Sequence, residues 1–181
     1  KAPEKTLANL PTILDRSVFP GLQGGPHMNA IAAIAVALQE AAQPAFRTYA
    51  AQILRNAKRL AAILLEHGVT LVTGGTDNHM MVIDCMTSFG LPGKDIEGLL
   101  DRIGISTSKS PIPDDLRPPY SPSGLRLGVP AATTRGMKET DMERLGTFIL
   151  SAIEHRADDT KLRLLREEVI EFCRKYPVPG I

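Results

Sequence analysis

The chain has 181 residues, of which 43% are hydrophobic, 23% charged and 4% aromatic, with no tryptophan, and 21 basic against 20 acidic side chains leave a net charge of +1. Length and composition suit one globular domain, or a small domain joined to a piece of another. The even charge balance, without a basic patch interleaved with aromatics, speaks against nucleic acid as the main partner, and no apolar run is long enough to predict a membrane span or a secretory leader.

In chain order, residues 2–15 read as a short helix or turn. Pro20-Gly21-Leu22-Gln23-Gly24-Gly25-Pro26 packs three glycines and two prolines into seven residues, which predicts a tight, preset turn. A helix from about Pro26 to Ala42 follows, with Ile31, Ile34, Ala35 and Leu38 on its apolar side and Pro44 as its stop. A second helix spans Ala45 to His67, where Phe46, Ala50, Ile53, Ala57, Leu60 and Leu64 recur every three or four residues as one buried stripe. Gly68 supplies its left-handed cap.

Val69–Val72 and Met80–Asp84 are expected as strands around a Gly74-Gly75 turn. A loop at Gly90–Gly93 leads to a helix with Ile96, Leu99, Leu100 and Ile103 inward, and Ile105–Ser108 reads as a third strand. Five prolines between Ser110 and Pro122 exclude regular structure there, and Leu125–Gly128 is a further strand. Thr140-Asp141-Met142-Glu143 has the form of a capping box for a helix with Leu145, Phe148, Ile149 and Ala152 inward. A last helix, from about Thr160 to Lys175, turns Leu162, Leu165, Val169 and Phe172 to one side before Tyr176-Pro177 ends it. The predicted class is a small α+β domain preceded by long helices.

Few residues stand out chemically. The glycine turn at the mouth of a helix has free amides of the kind that attract phosphate, although such a turn can equally do no more than redirect the chain. Arg126 alternates with Leu125 and Leu127, so it faces away from the core. It is either a solvated arginine on an open sheet or a two-pronged fork for a carboxylate, with Ser123-Gly124 and the proline-rich loop as its rim. Arg135, on a loop before a helix, has two readings, a surface ion pair or a ligand contact. Gly74-Gly75-Thr76-Asp77-Asn78-His79 reads as a polar hairpin loop in which Asp and Asn bond their own backbone. Nothing places a proton-transfer partner beside His79, and no nucleophile–base pair can be assembled. Cys85 and Cys173, far apart, read as reduced intracellular thiols, and His27, His67, His79 and His155 are too scattered to predict a metal site.

Three segments in register closely resemble serine hydroxymethyltransferases, pyridoxal-phosphate enzymes of the aspartate-aminotransferase fold (fold type I). They are Val18-Phe19-Pro20-Gly21-Leu22-Gln23-Gly24-Gly25-Pro26, Gly74-Gly75-Thr76-Asp77-Asn78-His79, and the run from Ser123-Gly124-Leu125-Arg126-Leu127-Gly128 to Thr134-Arg135-Gly136, with Cys173-Arg174-Lys175-Tyr176-Pro177 closing the match. The resemblance implies interconversion of serine and tetrahydrofolate with glycine and methylenetetrahydrofolate. It makes Arg126 the holder of the amino-acid carboxylate. It gives Gly24 and Gly25 backbone amides for the cofactor phosphate of a neighbouring subunit, and it puts Ser110 and Pro118-Pro119-Tyr120 on the folate. Many members have Asn at Ser110 and Ser-Pro-Phe at Pro118-Pro119-Tyr120, so the resemblance does not fix the pterin contacts; Ser110 offers one hydroxyl where an amide would supply both donor and acceptor.

The family's Schiff-base lysine, in its Thr- and His-rich stretch, has no counterpart in these residues, and Lys5-Thr6-Leu7, which lacks that stretch, reads as ordinary surface. The resemblance therefore divides the chain into the tail of a large cofactor-binding domain (1–25), interdomain helices (26–67) and a small carboxy-terminal domain (68–181). A chain that opens on Lys1 rather than Met is read as processed or a fragment, and by itself it is expected to be inactive. The helices that would pack on the large domain are expected to expose their stripe, which favours self-association, as homodimer or homotetramer. A cytoplasmic protein, without nucleic-acid or membrane partners or a metal, is the expectation. Two alternatives remain at this point: the corresponding domain of another fold-type-I enzyme acting on amino acids, and a non-catalytic assembly or binding module.

Overall fold

The computed structural model describes residues 9–180, so Lys5 lies outside the described residues. The chain divides into two compact units, Lys1–Phe46 and Arg47–Ile181.

The first unit holds α1 (Leu10–Arg16), a wide turn over Ser17–Leu22 in which Phe19 is extended, and α2 (Met28–Ala41). Pro at the first turn of α1 and the Ala-rich run of α2 favour helix. None of its described residues is buried: Ile31, Ile34, Val36 and Leu38 of α2 all stand open. The apolar pattern makes the helix, but within this chain it makes no core.

The second unit is built on α3 (Pro44–Glu66), which begins just before it. Its elements after α3 are β1 (Met80–Asp84), α4 (Cys85–Phe89), α5 (Gly93–Arg102), β2 (Ser108–Ser110), β3 (Gly124–Gly128), α6 (Pro130–Thr134), α7 (Glu139–Glu154) and α8 (Asp159–Arg174). The strands form an antiparallel sheet in the order β1-β3-β2. Met81, Ile83, Leu125 and Leu127 alternate onto its buried face, where they meet Ala57, Leu60 and Leu64 of α3, Ile96 and Leu100 of α5, and Phe148 and Ile149 of α7. The inward residues expected of α5 are all buried, as are Leu162, Leu165 and Val169 of α8; Phe172 is half-buried and meets Phe148 edge-on at 5.7 Å.

Other expectations are corrected. Val69–Val72 is no strand: only Leu71 bridges, to Ile83, although the amide of Val72 donates to the carbonyl of Val82 (2.9 Å) and that of Asp84 to Thr70 (2.9 Å). The strand expected over Ile105–Ser108 falls at Ser108–Ser110, where pairing with β3 and the grip of Glu97 on Lys109 decide its place. α7 starts at Glu139 rather than at a Thr140 box, with the Asp141 carboxylate accepting from the Lys138 amide at 2.8 Å. α4 is too short for a periodic signal; Asp84 caps it by accepting from the amide of Thr87 at 3.0 Å.

One buried polar knot ties α3 to the α6–α7 corner. Asn56, fully buried, donates to the hydroxyl of Thr133 (2.9 Å) and the carbonyl of Met137 (2.8 Å) and accepts from Gln52 (2.8 Å). Gln52 also donates to Glu139, whose carboxyl is held below its ordinary value first by that bond. Among the described residues no helix is long and apolar enough to cross a membrane.

Candidate functional site

Arg126 sits at the centre of β3, opposite Val82 on β1 and Ser108 on β2. Its neighbours Leu125 and Leu127 are buried while its own side chain is exposed, so the sequence alternation is what pushes the guanidinium out. Among the described residues no hydrogen bond or ion pair engages it. Arg55, Arg59, Arg102, Arg144 and Arg174, by contrast, each meet a carboxylate at 2.6–3.0 Å. The register places Ser108 and Ser110 on the same face as Arg126. Gly124 could be nothing larger, since a Cβ there would lie 2.5 Å from the Ser110 carbonyl oxygen.

The segment 111–123 arches over from β2 to β3 without regular structure, as its prolines require. One limb is fixed to the core. The Ser123 carbonyl accepts from the amide of Cys85 (3.0 Å), the Pro122 carbonyl accepts from that of Gly93 (2.8 Å), and both residues are buried. The other limb hangs on Asp115, which accepts from the Ser123 hydroxyl (2.7 Å) and from the amides of Ser123 (2.9 Å), Arg117 (3.0 Å) and Ile112 (3.4 Å). These donors, the Ser123 amide foremost, pull the Asp115 carboxyl down from 3.8 to about 2. At the tip, Leu116 is fully open (101%) and Tyr120 is 74% exposed, with Pro118 and Pro119 exposed beside it. The hydroxyl of Ser110, where the arch leaves β2, donates at 3.3 Å to the carbonyl of Pro111. Arg126 and Ser110 thus share one face of the sheet, and the arch leaves β2 at its Ser110 end.

Gly24 and Gly25 belong to the first unit. Gln23 before them is extended, and a Cβ at either glycine would meet nothing within 4 Å among the described residues. Among the described residues no hydrogen bond engages their amides, and α2 starts after His27 without a side-chain cap. Two open amides followed by an uncapped helix start are the donor set that a phosphate takes, so these residues fit that part of a phosphorylated cofactor.

Arg135 is a correction: it meets neither a carboxylate nor an open face. Its guanidinium donates to the carbonyls of Tyr176 (2.6 Å) and Cys173 (2.9 Å), closing the end of α8. Tyr176 in turn donates to Asp141, which raises its phenol above the ordinary value. In the Gly74–His79 loop, Asn78 accepts from the Met80 amide (2.9 Å) as expected, but Asp77 faces Lys58 at 3.7 Å instead of its own backbone. Gly74 adopts φ +66°, which other residues rarely take. A cleft of about 670 Å³ lies between this loop and α3, lined by Lys58, Thr73 and Thr76 among others; no residue of β2, the arch or β3 borders it. Cys85 and Cys173 are both free, and burial pushes the Cys85 thiol up to about 12. The role of Asp115 was missed; the Pro113-Asp114-Asp115 turn signal was its only trace in the sequence.

With this geometry in hand, residues 1–149 match the family model described as Serine hydroxymethyltransferase. The chain is 47% identical to the serine hydroxymethyltransferase of Acidobacterium capsulatum over 92% of its length and 39% of that relative's. It is 51% identical to serine hydroxymethyltransferase 2 of Mesorhizobium japonicum (96% and 39%) and 48% identical to the Sorangium cellulosum enzyme of the same name (93% and 40%). The chain therefore spans about two fifths of the length of the curated relatives it matches.

Proposed function

The chain belongs to the serine hydroxymethyltransferase family, and from that membership we propose that it supplies the substrate-carboxylate site and one wall of the folate pocket of a pyridoxal-phosphate enzyme. The reaction is the interconversion of serine and tetrahydrofolate with glycine and 5,10-methylenetetrahydrofolate. The observation that carries the reading is Arg126: an exposed guanidinium at the centre of β3, without a partner among the described residues, on the sheet face it shares with Ser108 and Ser110.

Each residue's task follows from its chemistry. Arg126 takes the amino-acid carboxylate through two parallel N–H···O bonds, which fixes the direction of the substrate as well as its place. Tyr120 offers a ring face to the flat pterin, Pro118 and Pro119 keep that rim stiff, and Ser110 gives one hydroxyl to a pterin edge. Gly24 and Gly25 hold the cofactor phosphate by their amides, in a homodimer or homotetramer where that cofactor is the neighbouring subunit's. Pyridoxal phosphate, when bound, supplies the electron sink for bond cleavage at the amino-acid carbon.

In this reading the fold is the small-domain end of fold type I, with residues 1–25 as the tail of the large domain, 26–67 as interdomain helices and 68–181 as the small domain, in a cytoplasmic enzyme. The test is conversion of serine to glycine by a protein of full family length that carries this chain. Turnover should require both pyridoxal phosphate and tetrahydrofolate, and the 181 residues alone should show none. Turnover independent of folate, or by the 181 residues alone, would contradict the reading.

A further inference from the structure

The arch presents a problem of backbone accounting. Pro111, Pro113, Pro118, Pro119 and Pro122 remove five amide donors and fix five φ angles, so no ladder can hold the segment. The amides that remain need partners, and one side chain collects three of them. We propose that Asp115 is a positioning residue, whose carboxylate ties the free limb of the arch, from Ile112 to Arg117, to the core-bolted limb at Ser123 and so sets where Pro118–Tyr120 stand.

The asymmetry between the limbs carries the argument. Ser123 and Pro122 are buried and accept from the amides of Cys85 and Gly93, so their place is set by α4 and α5. β2 is pinned independently at Lys109, whose amide (3.1 Å) and ammonium (3.0 Å) both donate to Glu97. Between these fixed ends the tip lies open to solvent, and Asp115 spans it by accepting from both sides at once. Arg117 adds a second staple, donating to the carbonyl (2.9 Å) and hydroxyl (3.2 Å) of Ser121. The carboxylate is an acceptor at both oxygens, which the geometry demands: an amide would turn an N–H toward a donor, and Glu would overshoot by one methylene. Arg126 does not depend on this clamp, because the ladder to β1 and β2 holds its strand.

This inference rests on the folate reading of the arch, and the test separates the two. In a protein of full family length carrying this chain, Asp115→Asn should speed amide exchange across 112–123 and raise the KM for tetrahydrofolate about tenfold, with kcat and the KM for serine held within about twofold. Ser123→Ala, which deletes only the hydroxyl bond, should move both readouts the same way by less, and serves if Asp115→Asn does not fold. A parallel fall in kcat and in affinity for both substrates would mark a general loss of structure and overturn the inference. Faster exchange with an unchanged folate KM would overturn it too. If Tyr120→Ala then weakens folate, only the inference about Asp115 fails; if Tyr120→Ala is also silent, the folate reading of the arch falls with it.

Discussion

The two units of this chain use similar amino acids to opposite ends. In the first, α2 is apolar along its length and Leu38 remains 66% exposed; in the second, Phe148 is 1% exposed and sits among side chains from α3, the sheet and α8. Apolar content therefore does not by itself make a core. It needs a second layer at the right register, which α3, α5, α7 and α8 provide for the sheet. The glycines divide the same way. A Cβ at Gly24 or Gly25 would meet nothing within 4 Å among the described residues, whereas Gly93 is glycine because a Cβ there would fall 1.9 Å from the Gly124 carbonyl oxygen.

Truncation should sharpen this contrast most. Phe148→Ala is expected to destabilise the 181-residue chain by about 3–5 kcal/mol, and Ile34→Ala by less than about 0.5 kcal/mol, in urea melts. A large loss at Ile34 would break the comparison. Gly93→Ala should cost roughly 3 kcal/mol through the backbone collision. Gly24→Ala should leave the melt unchanged while weakening pyridoxal-phosphate affinity in a protein of full family length, because the added methyl crowds the amides. Asn56→Ala strands the Thr133 hydroxyl and the Met137 carbonyl without their buried donor and should cost about 1–3 kcal/mol.

The smallest effect expected is acid loosening at Asp115. Its folded-state carboxyl, at about 2 against an ordinary 3.8, binds its proton less readily than in the unfolded chain. Its contribution is then complete above about pH 4 and disappears as the pH falls through 2. Glu97 and Glu139 are lowered as well and act in the same direction. The difference between wild type and Asp115→Asn, followed by melting between pH 5 and 2, isolates the one group; parallel curves would contradict its shift.

Much of the second unit was legible in the sequence because periodic apolar residues carry their partner's direction with them. Ile96, Leu99, Leu100 and Ile103 could only be one face of a helix, and all four are buried. Arg126 was legible as outward-facing from alternation alone, though its lack of a carboxylate partner among the described residues was not, since that depends on where every acid folds. Val69–Val72 misled because an apolar run says nothing about whether a neighbouring edge will pair. Asp115 and Arg135 stayed hidden for a related reason: a carboxylate eight residues from Ser123, and a guanidinium far from the end of α8, gain their meaning only from long-range closure.

The central claim is that Arg126 holds the substrate carboxylate, and the direct measurement is calorimetric titration of serine into a cofactor-loaded protein of full family length. Arg126→Ala should weaken serine by about 2 kcal/mol or more, roughly thirtyfold, with Arg126→Lys recovering part of the loss because it keeps the charge without the fork. An unchanged serine affinity in Arg126→Ala would contradict it.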